Sequence, residues 1–314
     1  MCRGILSPCL SQALLGSNTN AMKILLDTDI GTDIDDTLCL AYLLAHPDCD
    51  LLGITTVSGE ADKRAMLASV LCKQVGKDIP IFPGTETPLL LPQRQTIAQQ
   101  AAKLPNWRHD TEFPTGQAVL FLRDIIRAHP GEITLLTIGP LTNIALLFAL
   151  DPDIPALLHR LVMMCGCFNA IGGAACPPEW NALLDPHAAA MVYKAVVKRH
   201  RSIGLDVTTQ VTLNAASARQ RFSHYERLRP VLDFAEVWLQ HTPVITFHDP
   251  LAAATIFDDT ICTFTPGTVQ IELENQRLLG LTRWSANNDP SPHEVALQVD
   301  GSRFLNHYFD IVGA

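Results

Sequence analysis

From Lys23 onward the chain alternates short apolar runs with longer helical stretches, and this alternation limits the possible folds more than any other feature. Residues 23–27 (KILLD), 51–57 (LLGITTV), 79–82 (IPIF), 132–138 (EITLLTI) and 160–164 (RLVMM) have the length and apolar content of buried strands. Between them, 36–45, 61–75, about 116–128 and 141–149 read as helices, the second closed by Gly76. Strands separated by helices are joined by crossovers, so their sheet is mostly parallel and covered on both faces. The expected fold is α/β: an open, mostly parallel central sheet with helices on both faces. A helix near 186–198 and an apolar strand at 202–207 (SIGLDV) follow, then helices near 214–221, 230–240 and 250–256. Residues 268–299 read as a small antiparallel addition near the C-terminus, and 302–311 as a last helix.

No repeat or linker divides the text, so 22–314 is read as a single domain, rich enough in apolar residues (47%) to fill a large core. Residues 1–21 read as a disordered leader, with Met22 an alternative start. A formal charge of −9 without a Lys/Arg block argues against a nucleic-acid partner, since that affinity comes mainly from basic residues. No apolar run is long enough to span a bilayer. Nine cysteines form no C-x-x-C pair, which suggests neither a disulfide framework nor a zinc ribbon, and points to a reducing cytoplasm. Cys165 and Cys167 are read as buried small hydrophobes. The segment 84–114, rich in Pro, Gln and Thr, is the longest irregular stretch and is expected to lie beside the site.

The chemistry is concentrated in DTDIGTDIDD, Asp27 to Asp36, directly after the first strand. Five carboxylates in ten positions, without an intervening Lys or Arg, repel one another unless a cation or protons neutralise them. Asp27 and Asp29 can share a face of the strand if it stays extended, while Asp35 and Asp36 open a helix whose dipole favours negative charge. In open parallel sheets ligands bind beyond the carboxyl ends of the strands, which is where this turn lies. IGPLTN (138–143), PEWN (178–181) and HDP (248–250) also fall at strand or helix ends.

These four motifs, in this order, resemble the inosine-uridine nucleoside hydrolase family over about residues 23–310. The resemblance implies hydrolysis of the N-glycosidic bond of ribonucleosides by a Ca2+-bound water with an Asp general base, in dimers or tetramers. It implies Asp29 as base and metal ligand, Asp36, Asp249 and the Ile138 carbonyl as further ligands, and Asp35 as a ribose contact. Glu179 and Asn181 match residues that grip ribose hydroxyls, Met164 a side chain under the sugar, and His248 the proton donor to the leaving base.

Thr32 and Asp33 stand as an insertion in the family's acidic signature, leaving the base between Asp29 and Asp33, with Asp29 favoured because the strand fixes it. Glu60 occupies a ribose-binding position that is usually Asn, and the usual His-Gly pair is missing from 84–114. Asn143 reads as a cap or turn residue and Trp180 as core packing rather than a base-stacking platform. A haloacid dehalogenase-type Mg2+ phosphatase also begins with a strand and Asp-x-Asp but needs a later lysine to hold phosphate. A nucleoside- or ribose-binding protein without turnover is the third possibility.

Overall fold

In a computed structural model the described residues are 21–169, 171, 173–287 and 293–314; the expected leader, 1–21, lies outside them except for its last residue. Eleven strands are described: β1 (Met22–Thr28), β2 (Cys49–Thr56), β3 (Ile81–Pro83), β4 (Thr134–Thr137), β5 (Arg160–Met164), β6 (His200–Ile203), β7 (Thr212–Asn214), β8 (Val244–Thr246), β9 (Cys262–Ile271), β10 (Thr282–Ala286) and β11 (His293–Val299). Nine of them form one sheet in the order β10-β9-β11-β6-β5-β4-β1-β2-β3. All neighbours from β3 through to β11 are parallel, and β9 and β10 add an antiparallel edge. Strands β7 and β8 form a separate antiparallel pair.

The sheet is buried on both faces because residues alternate sides along each strand. Ile24 and Leu26 of β1 face one core with helices Asp35–Ala45, Ala61–Gln74, His248–Phe257 and Gly301–Gly313. Leu25 faces the other core with helices Ala118–Ala128, Thr142–Leu150 and Pro186–Lys194. Chain order reverses between β1, which continues to β2 and β3 on one side, and β4, which continues to β5 and β6 on the other. Their divergent connections leave a crevice at the carboxyl edge, the usual place for a ligand in such sheets.

Two expectations need correction. SIGLDV is not one strand: β6 stops at Ile203, and Leu205–Thr208 is a short helical turn. The cysteines are not all thiols either, because Cys167 and Cys176 form a disulfide with Cα atoms 5.7 Å apart. The loop after β5 doubles back and brings together two cysteines that no short motif links, while Cys165 remains a buried free thiol.

Candidate active site

Thr28 ends β1, and the next residues build the crevice. Thr28 Oγ1 accepts from Ile30 N (3.1 Å) and donates to Asp36, joining the strand end to the first turn of helix Asp35–Ala45. Helix His248–Phe257 packs against that helix and brings Asp249 beside it. Carboxylate oxygens of Asp35, Asp36 and Asp249 come within 4.8 Å of one another, and all three residues are buried. Two helix N-termini thus meet at one acidic point, where their partial positive charge eases the repulsion.

A cavity of about 500 Å³ opens over this point, a volume within the usual range for small-molecule sites. Asp29, Asp33, Asp35, Asp36, Ile138, Met164, Glu179, Asn181, His248 and Asp249 all line it. Asp29 lies outside the tight carboxylate group but faces the same space, as does Asp33. Gly139 of the IGPLTN motif makes room for Asp29, because an added Cβ would stand 2.9 Å from Asp29 Oδ1.

Burial raises the carboxyl pKa values. Desolvation and the neighbouring aspartates push Asp35, Asp36 and Asp249 well above the carboxylate range. Desolvation raises Asp29 too, and takes Asp33 to about 7. The opposing charge is Arg64, wholly buried in helix Ala61–Gln74. It donates to the Asp29, Ile30 and Gly59 carbonyls and to Thr32 Oγ1 rather than to a carboxylate oxygen. Five aspartates near one guanidinium require protons or a metal ion, and their all-oxygen donor set suits a hard divalent cation. The residues therefore fit the metal implied by the sequence.

The wall residues are held by their own bonds. Glu179 caps helix Trp180–Leu184, accepting from Asn181 N (2.7 Å), Ala182 N (3.2 Å) and, across the loop, Gly166 N (3.0 Å). Asn181 Nδ2 donates to the carbonyls of Ile138 (2.9 Å) and Met164 (3.0 Å), tying together the ends of β4 and β5. His248 Nδ1 bonds Thr208 Oγ1 at 2.7 Å, and burial lowers the imidazole to about 4.

Other expectations fail on position. Glu60 does not line the cavity: it sits in the left-handed region (φ 62°), its carboxylate taken by Lys63 Nζ (2.6 Å) and Ala98 N (2.9 Å). Trp180 is not core packing, since it is 49% exposed and lines the cavity. Asp27 and Asp29 do not share a role, because the chain leaves the extended form after Thr28. Asp27 accepts instead from Thr55 and from Asn143 Nδ2 (2.7 Å), and burial raises it to about 7. Asn143 is thus a buried cross-link rather than a simple cap. Three cavity residues carried neither a motif nor an implied role: Gln95, from the irregular 84–114 segment, Leu205 and Trp238.

Known proteins similar in sequence and fold point to one family. The family model for inosine-uridine preferring nucleoside hydrolase matches residues 24–306. An uncharacterised protein of Schizosaccharomyces pombe is 32% identical over 93% of this chain and 99% of its own. The non-specific ribonucleoside hydrolase RihC of Salmonella paratyphi B is 31% identical, over 91% of this chain and 96% of its own. Among solved structures, a purine-preferring ribonucleoside hydrolase from Gardnerella vaginalis shares the fold, with a TM-score of 0.78 at 24% identity over 92% of this chain and 98% of its own. The chain belongs to the inosine-uridine preferring nucleoside hydrolase family, enzymes that hydrolyse the N-glycosidic bond of ribonucleosides.

Proposed function

We propose that the chain cleaves ribonucleosides to free base and ribose with Ca2+ held by Asp29, Asp36, Asp249 and the Ile138 carbonyl, and with Asp29 as the general base. The observation that carries this reading is the meeting of five aspartates, opposed by one buried guanidinium, at the sheet's topological switch. Ca2+ is preferred to Mg2+ because crowded carboxylates and a carbonyl suit a large, irregular oxygen shell, whereas Mg2+ keeps several waters. A bound cation would orient the ribose hydroxyls and make a water molecule more acidic.

The chain's own groups account for the remaining chemistry. Breaking the ribosyl bond builds positive charge on the sugar, which nearby carboxylates stabilise. Asp29 takes a proton from the attacking water. Asp35, Glu179 and Asn181 engage ribose hydroxyls, and Met164 packs beneath the ring. The oxygens of Glu179 already accept backbone N–H bonds but keep lone pairs for a hydroxyl donor. Thr208 holds the His248 ring at the cavity wall, where it hydrogen-bonds the departing base. Burial keeps that imidazole neutral at pH 7, and the neutral ring still carries one N–H that it donates to the departing base in a hydrogen bond.

The test is release of reducing sugar from inosine, adenosine, uridine and cytidine. Activity is expected to disappear with a chelator and return with Ca2+, and Asp29→Ala to lower turnover by about 10² to 10⁴. Chelator-resistant turnover would overturn the metal assignment, and near-native Asp29→Ala activity the base.

A further inference from the structure

We propose that Gln95 is a positioning residue for Asp29, and that Trp180 at the cavity mouth fixes the Gln95 amide in its donating orientation. This rests on the reading of Asp29 given above. A glutamine amide has two unlike ends, a carbonyl that accepts and an NH2 that donates. Indole N–H only donates, so the group 2.6 Å from Trp180 Nε1 must be the Gln95 carbonyl oxygen. The NH2 end then faces the other way, where it donates to Asp29 Oδ2. A flipped amide would set two donors against each other at Trp180 and two acceptors at Asp29.

The Gln95 backbone is fixed as well. Its N–H donates to Gln93 Oε1 (2.8 Å), and its carbonyl accepts from Gly59 N (3.1 Å). Gly59 permits that approach, since a Cβ there would lie 2.6 Å from Thr96 Cα and 2.8 Å from the Gln95 carbonyl oxygen. Gln95 itself is 5% exposed. A half-exposed indole is thus linked through a sheltered amide to one oxygen of the candidate base. The link stops the carboxylate from rotating and fixes which oxygen it presents to the cavity.

The experiment compares Gln95→Ala, Gln95→Met, Trp180→Phe and the Gln95→Ala/Trp180→Phe double variant with the unaltered enzyme. Gln95→Met keeps the volume without the donor, which covers failure of the alanine variant to fold. Both Gln95 variants should lower kcat about 10- to 100-fold, the usual effect of losing a group that orients a ligand, with KM changing much less. Trp180→Phe keeps the ring but loses the N–H, so its kcat should fall in the same direction, and the double variant no further than Gln95→Ala. Unchanged kcat in the Gln95 variants, or single losses that multiply in the double, would sink the proposal. If the unaltered enzyme cleaves no nucleoside, the reaction reading fails, but a calorimetric Ca2+ titration still tests the positioning. Affinity should then fall about 10- to 100-fold in the Gln95 variants and in the double alike; equal affinity would overturn it.

Discussion

Asp36 is 4% exposed and lies within reach of Asp35 and Asp249, so each ionised carboxyl raises the cost of the next. A carboxyl whose folded pKa exceeds its unfolded value stabilises the fold fully only below the unfolded value, and loses that contribution as pH rises through the folded one. Asp27 and Asp33 lie near 7, and the clustered three well above the usual range. In chelator, the melting temperature should therefore rise as pH falls from about 8.5 to about 7. Below about 6.5 the opposite term begins, because unfolded histidines take up protons that folded His46 and His248, held near 4 by burial, refuse. Saturating Ca2+ should reduce the upper slope to what Asp27, outside the cavity, contributes, and calorimetry at several pH values checks both; a flat or inverted chelator slope would contradict the cluster. The aspartates of the turn were legible in the sequence because five fall within ten positions, whereas Gln95 and Arg64 act on Asp29 from 66 and 35 positions away. Arg64 looks like an ordinary surface cation in a helix until the fold buries it.

Helices Asp35–Ala45 and His248–Phe257 are buried on nearly every side, which explains why each reads as a block of apolar residues rather than as a stripe. Strand β5 has the bounds expected from its sequence, because Arg160–Met164 is buried throughout and flanked by breaks. Two short helices, Ile154–Leu157 and Trp180–Leu184, were not legible, since four or five residues carry no helical period. Reading 205–207 as strand failed for a different reason: Ile203, Leu205 and Val207 alternate with Ser202, Gly204 and Asp206 as a strand would, yet the chain closes into a helical turn after Gly204. Between elements, Asn143 is a buried fastener. Its Nδ2 donates to Asp27 Oδ1 (2.7 Å) and the Thr56 carbonyl (3.0 Å), and its Oδ1 accepts from Thr85 N (3.0 Å). Asn143→Ala leaves Thr85 N without its acceptor, at about 1–3 kcal/mol, while Asp27 Oδ1 keeps Thr55 and the Thr56 carbonyl keeps Gly84 N. Denaturant unfolding should show at least one such increment, and a variant as stable as the original would refute the cross-link.

On the scale of the whole molecule, the cavity draws on the first strand, the 84–114 segment, the ends of β4 and β5, and the helix that begins at His248. A cation bound only when these meet should stabilise the fold by about 2.7 kcal/mol at a hundred times its dissociation constant. Asp249→Asn should abolish the Ca2+-dependent rise in melting temperature while leaving a folded protein; an undiminished rise would place the ion elsewhere. The parallel sheet and its covered faces could be read from local alternation. Convergence of distant segments was implied only by the family resemblance and not by the local pattern, because it depends on which strands become neighbours.

One further consequence follows from where Asp249 stands. On a ribosome, the acidic turn emerges early but waits for residue 249 of 314 before its last carboxylate partner exists. Until then a growing polypeptide lacks one wall of the proposed cation site, and a fragment ending before that helix should show no Ca2+-dependent activity.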